Sequence, residues 1–256
     1  MTVNDVFEWL NQIAPFETQE AFDNSGLLAG DPSAVVRKVL FTLDVTKPAI
    51  AEAVNIGAEL IISHHPLMFH PVQQIRYDRE EGAVIRLLTA SGLSLIAAHT
   101  NLDQCNGGMS DSLAQTLALK TITACDANPY LRTGTLSSSC TAKEFLFSVS
   151  SRLSASVRMY GDAESIIRSV AVAPGAGGDM VPDVDADAFV TGEIKHHELL
   201  NACGRGLAIF DAGHYPTEFP GIAALYQRFL AAAAGHGWAM EAALYSRPPY
   251  PCLTHA

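Results

Sequence analysis

The chain of 256 residues is poor in positive charge, with 16 Lys+Arg against 27 Asp+Glu and a formal net charge of −11 at pH 7. Nucleic acids and anionic membranes are polyanions whose binding depends on Lys and Arg, so neither is expected as the main partner. Thiols are scarce as well. Cys105, Cys125, Cys140, Cys203 and Cys252 are scattered, odd in number and nowhere arranged as CxxC. No disulfide framework and no thiolate zinc site follow from them; they read as small buried or surface thiols in a reducing compartment. No uninterrupted apolar run approaches the roughly 20 residues of a spanning helix. The opening Met1-Thr2-Val3-Asn4-Asp5 is acidic where a secretory signal is basic, so no export signal is expected and a cytoplasmic location is. Charged residues are only 17% of the chain and hydrophobic ones 48%, which excludes a largely disordered polymer. One large domain or two modest ones can then bury a real core.

Short β-rich runs alternate with amphipathic or Ala-rich segments. Strands are expected at Lys38–Leu43, Glu59–Ile62, Ser94–Ala98, Ser156–Tyr160, Val170–Ala173, Ala188–Val190 and Leu207–Asp211. Helices are expected at Val3–Ile13, Ala49–Asn55, Glu80–Thr89, Ser110–Leu117, Ala142–Leu153, Lys195–Ala202 and Phe219–Ala233. Thr2 or Asn4, Ser110 and Thr141 stand where helix N-caps belong. Alternation at this spacing predicts an α/β fold with mainly parallel or mixed sheets flanked by helices. The stretch Leu119–Ser139, with Asn-Pro and Ser-Ser-Ser punctuation, reads as the joint between two α/β lobes. The first lobe would cover residues 1–125, completed by about 220–256, and the second residues 126–219.

Histidine is what the chain does have. There are nine, and most fall in short clusters where an apolar run ends. Ile61-Ile62-Ser63-His64-His65-Pro66 puts two imidazoles where a strand stops, the edge at which ligands gather in open α/β sheets. Adjacent strand side chains point to opposite faces. The two rings therefore share a site only if the chain bends, as Pro66 suggests, or else each serves a different ion of a close pair. A second run ends in Ala98-His99-Thr100-Asn101-Leu102-Asp103. A third ends in Asp211-Ala212-Gly213-His214-Tyr215-Pro216-Thr217-Glu218, where His214 and Glu218 share a helix face if the helix has begun. Imidazole and carboxylate without thiolate suit zinc, manganese, iron or similar divalent ions.

A fourth cluster, Thr191-Gly192-Glu193-Ile194-Lys195-His196-His197-Glu198, has more candidate groups than one centre needs. His196 and His197 could support metal ligands, touch substrate or be solvated residues of a first helical turn. The glycine-rich loop Gly175–Asp179 lacks the P-loop lysine and is not GxGxxG, so a plain strand-to-helix turn is the simpler reading. It joins Lys195 and Arg76 as a candidate phosphate contact.

Taken together, these segments resemble one known family, the Nif-three-like or YbgI-type proteins, also called GTP cyclohydrolase I type 2 homologues. The matching stretches are Phe22-Asp23-Asn24-Ser25-Gly26-Leu27, Thr42-Leu43-Asp44-Val45-Thr46, Ser63-His64-His65-Pro66-Leu67 and Ala98-His99-Thr100-Asn101-Leu102-Asp103. Thr191 to His197 and Ala212 to Glu218 complete the set, in the family's order. Phe22 stands where many members have Trp, and Cys105–Ser110 differs in detail from the common form. The resemblance implies a site for two divalent metal ions in the cleft between two α/β lobes, and assembly into a hexameric ring. It implies His64, His65, Asp103, His214 and Glu218 as ligands, with Glu218 bridging, His64 on the ion bound by His214 and His65 on the ion bound by Asp103. His99 would lie beside the metals as a proton relay.

Two close divalent ions can activate water and polarise a substrate oxygen, so a metal-dependent hydrolase is expected. The family's usual description adds a small-molecule, nucleotide-like substrate. The alternative is a non-catalytic metal-binding protein acting as regulator, chaperone or metal store. A nucleic-acid clamp, suggested by the ring shape, is disfavoured by the charge.

Overall fold

Short apolar runs become strands buried on both faces, which is why they read as continuous rather than alternating. The computed structural model describes residues 1–250 and divides them into two units. The first holds Met1–Asn106 together with the described residues from Ile222 onward, and the second holds Gly107–Gly221. Cys252 lies outside the described residues.

In the first unit a five-stranded sheet has the order β1-β4-β3-β2-β11. β2 (Lys38–Thr42), β3 (Leu60–Ser63), β4 (Ser94–Ala97) and β11 (Glu241–Leu244) run parallel, and β1 (Gly26–Ala29) is an antiparallel edge on β4. Pleating sends Leu40, Ile61 and Leu95 to one face. There they pack with Ala49, Ile50 and Ala53 of α2 (Lys47–Asn55) and Val84 and Leu88 of α3 (Glu80–Ala90). Phe41, on the opposite face, meets Phe229 at 5.4 Å, and Phe229 meets Trp9 of α1 (Val3–Ile13) edge-on at 5.1 Å. α1 starts at Thr2 with a complete capping box to Asp5, satisfying two orphan helix-end donors. A single turn, α4 (Thr100–Gln104), follows β4.

The second unit has the order β5-β6-β8-β9-β10-β7. β8 (Ile166–Ala173), β9 (Ala188–Thr191) and β10 (Ala208–Asp211) are parallel; β5 (Lys120–Cys125), β6 (Asn128–Thr141) and β7 (Arg158–Tyr160) add antiparallel pairs. Val170, Val172, Ala188, Val190, Ala208 and Phe210 face α5 (Met109–Thr116) and α6 (Ala142–Leu153). The alternate set, Ala171, Ala173, Phe189 and Ile209, faces α7 (His196–Gly204) and the 310 segment Gly177–Asp183. α8 (His214–His236) begins in this unit and continues into the first. No helix among the described residues is long and apolar enough to cross a membrane.

The α/β class and its mixed sheets stand as expected. Three local readings change. Leu119–Ser139 is not a joint but the β5–β6 hairpin, polar because much of it faces water; the chain passes between units at Asn106–Gly107 instead. Ser110 is inside α5, whose N-cap is Gly108. α8 starts five residues earlier than Phe219, at His214.

Asp187 ties β9 to β8. Its Oδ2 accepts from the backbone N–H groups of Arg168 (2.8 Å) and Ser169 (2.9 Å) and from Ser169 Oγ (3.1 Å). Partial burial pushes its carboxyl up, but these hydrogen bonds outweigh it and hold the group below its ordinary value. A depressed folded-state pKa contributes stability that is present above the unfolded carboxylate pKa and lost as pH falls through the folded one. Asp187→Ala should therefore cost about 1–3 kcal/mol near neutrality, read as a lower urea midpoint. The gap to wild type should shrink in acid; a gap of constant size would overturn the assignment.

Candidate metal centre

Parallel register brings strand ends level. β2, β3 and β4 stop side by side, with Thr42 paired to Ser63 and Ser63 to Ala97. The ladder continues past them through His64 N–H to Thr42 O (3.1 Å), His65 N–H to Leu43 O (2.9 Å) and Ala98 N–H to Ser63 O (2.9 Å). Asp44, His64, His65 and His99 thus leave neighbouring strands at one edge. The rings of His64 and His65 lie 4.9 Å apart, so pleat alternation has already broken at His65, where Ser63 Oγ donates to the carbonyl (2.9 Å). Ring nitrogens of His64, His65 and His99 come within 4.8 Å of one another and could hold a metal ion.

Each of these imidazoles is oriented from behind through Nδ1. His64 Nδ1 meets Ala98 O at 2.9 Å, His65 Nδ1 meets Asp44 Oδ1 at 2.8 Å, and His99 Nδ1 meets Asp23 Oδ1 at 2.8 Å. A carbonyl or ionised carboxylate can only accept, so Nδ1 carries the proton and Nε2 is the nitrogen that a neutral ring would turn to a metal. Asp23 is well suited to this. Its side chain is fully buried and also accepts from Ser25 Oγ (2.9 Å), Thr100 N–H (3.0 Å) and Asn24 N–H (2.8 Å). Burial pushes its carboxyl up, but the hydrogen bonds from His99 and Thr100 prevail and keep it well below the usual carboxylate range. Asp103, on α4, places Oδ1 3.5 Å from Nε2 of the fully buried His64, whereas the resemblance pairs Asp103 with His65.

The second unit repeats the device. β8, β9 and β10 end level, with Ala173 paired to Thr191 and Thr191 to Asp211. Glu193 follows β9, and His214 with Glu218 follows β10. Because α8 has begun by His214, the two lie one turn apart, Nε2 to Oε1 at 3.0 Å. His214 Nδ1 is held by Glu193 Oε1 at 2.8 Å. This pair is a donor set of the same kind. Glu218 is buried, and Gly175 explains how there is room for it. Gly175 has φ +61, and a Cβ there would collide with the Glu218 carboxylate and lie 3.3 Å from His214 Nε2.

Gly175 is therefore a clearance for the Glu218 carboxylate. The loop's amides are already used: Gly175 N–H donates to Thr217 Oγ1 (3.0 Å) and Gly177 N–H to Thr191 Oγ1 (3.1 Å), which leaves these two unavailable to a phosphate. Arg76 is an exposed side chain paired with Asp78 at 2.6 Å. Lys195 is exposed and folds toward Glu198 (3.5 Å). His196 and His197 are solvent-facing residues of the first turn of α7.

Asp23, Asp44 and Glu193 escaped the reading of the sequence as functional groups. The signal was available for Asp44 and Glu193, because each is an acid just past an apolar strand, as the histidines are. Asp23 precedes an edge strand, and its one signal was its place in the stretch Phe22–Leu27 of the resemblance, to which no role was attached.

Residues 1–250 match the model of the Duf34/NIF3 family (NGG1p interacting factor 3). A Clostridium perfringens protein named GTP cyclohydrolase 1 type 2 homolog is 34% identical over 86% of this chain and 88% of its own length. A Streptomyces coelicolor protein of the same name is 30% identical over 99% of this chain and 94% of its own. The crystal structure of a hypothetical protein from Staphylococcus aureus superposes with a TM-score of 0.92 at 27% identity, covering 99% of each chain. The strand-end histidines and the match along almost the whole length agree, and the chain belongs to the Duf34/NIF3 family.

Proposed function

We propose that His64, His65, Asp103, His214 and Glu218 hold two divalent metal ions per chain and that the protein is a metal-dependent hydrolase of a nucleotide-like substrate. One observation supports the metal reading above the others. Four imidazoles, His64, His65, His99 and His214, each have Nδ1 committed to an acceptor. Solvated loop histidines have no reason to share that arrangement; metal ligands do. The donor set is nitrogen and oxygen only, as borderline divalent ions prefer. The relatives' name, GTP cyclohydrolase 1 type 2 homolog, supports a guanine nucleotide as the substrate class.

Bound ions would supply Lewis acidity and lower the pKa of water. The chain's own part is proton handling and placement. His99 keeps Nδ1–H on Asp23, so its Nε2 can take a proton from the attacking water while the Asp23 carboxylate stabilises the resulting imidazolium. Asp44 and Glu193 do the corresponding service of orientation for His65 and His214. Assembly as a homohexameric ring is part of the same proposal.

About two divalent ions per chain should be found by elemental analysis of the purified protein. Glu218→Gln should remove most of them if that carboxylate bridges, and Gly175→Ala should lower occupancy by displacing it. Full occupancy in Glu218→Gln would sink the bridging role.

His99→Ala should keep both metals and lose about 10²–10⁴-fold in hydrolytic rate across a nucleotide and phosphoester panel. Loss of a metal equivalent would make His99 a ligand instead. An unchanged rate would leave it structural, and a metal-loaded wild type without turnover on any substrate of the panel would favour the storage or regulatory role. Light scattering on the metal-loaded protein should exceed the monomer mass of 27.3 kDa several-fold; a monomer at micromolar concentration would rule out the ring.

A further inference from the structure

Within the first unit a row of rings leads outward from the histidines. His65 and His99 have centroids 5.6 Å apart at 74°, His99 and Phe69 5.8 Å at 84°, and Phe69 and Phe22 6.3 Å at 60°. The row ends in Phe22, which is 65% exposed. A large apolar ring left in water forgoes roughly 1.5–3 kcal/mol of burial. Slack chain does not explain it, because the backbone around Phe22 is pinned. Asp23, the next residue, is buried among its hydrogen bonds to Asn24, Ser25, His99 and Thr100. Asn24 Nδ2 then donates to Met68 O at 2.6 Å, fastening the segment that carries Phe69 to the one that carries Phe22. Both rings are anchored from behind while the Phe22 ring stays open.

We infer that Phe22 and Phe69 form a stacking wall for a flat conjugated ring of the substrate, a heteroaromatic base, which they hold beside His99. This rests on the hydrolase reading for the reacting end and adds what selects the substrate. Phe69 meets Phe22 at 60° rather than stacking on it, and Phe22 is 65% exposed, so its ring has surface for another planar ring in offset stacking. A saturated sugar or a phosphate gains little there.

The probes are GMP, AMP and ribose 5-phosphate, which differ in whether a base is present. Phe22→Trp places an indole at the end of the row. In the metal-loaded variant both nucleotides should quench the added emission, relative to wild type, and ribose 5-phosphate should not. Phe22→Ala should weaken nucleotide binding, by calorimetry, roughly 5- to 100-fold, with metal content unchanged and ribose 5-phosphate unaffected. Equal nucleotide affinity in wild type and Phe22→Ala would overturn the inference. So would quenching by ribose 5-phosphate as strong as by GMP, or failure of either nucleotide to bind the wild type. A Phe22→Ala protein that loses its assembly but keeps its nucleotide affinity would assign the ring to contact with a second copy instead. Base stacking without turnover would end the hydrolase reading alone, and turnover whose KM ignores Phe22→Ala would end this one alone.

Discussion

Everything functional here depends on the register of parallel strands. In a parallel pair the carboxyl ends point the same way, so adjacent strands that start level also release their next residues side by side. The ladder between β2, β3 and β4 sets Asp44, the His64-His65 pair and His99 on one edge without any long-range loop to position them. β8, β9 and β10 do the same for Gly175, Glu193 and His214. A shift of one residue in either ladder would release these residues out of level with one another.

Hydrogen bonding then decides which atom each imidazole offers. A histidine in water exchanges tautomers and offers either nitrogen. One whose Nδ1 faces a carbonyl or carboxylate, when neutral, carries its proton there and turns Nε2 the other way. Four rings are treated this way by Ala98, Asp44, Asp23 and Glu193. Polar pairs of this kind, from the buried His64–Ala98 to the exposed His214–Glu193, give little net stability, so folding alone does not account for their concentration at one edge of each sheet.

Much of this was legible in the sequence. Val3–Ile13 and Ala142–Leu153 are helices between the very residues that patterning and capping predict, because Thr2 and Thr141 each close a capping box. The strand-end histidines were visible because apolar runs break abruptly at polar groups. The β5–β6 hairpin was not visible. Its Thr, Ser and Lys side chains are largely exposed and its register slips between Lys120 and Thr123, so neither an apolar alternation nor an uninterrupted repeat was there to read. The orienting carboxylates were hidden for a different reason. Asp23 acts on His99 from 76 positions away in the chain, a distance over which local pattern carries no information.

The path of the chain has one consequence for synthesis. β11, Glu241–Leu244, pairs with β2, Lys38–Thr42, and the whole of Gly107–Gly221 lies between them in sequence. A ribosome releases the chain from its N-terminus, and loop closure over such a separation is slow and entropically costly. The nascent first sheet therefore waits, lacking one edge strand and the C-terminal part of α8, until the inserted unit has emerged in full. During that interval β2 is an open edge of apolar residues in the crowded exit region, the kind of surface that chaperones shield.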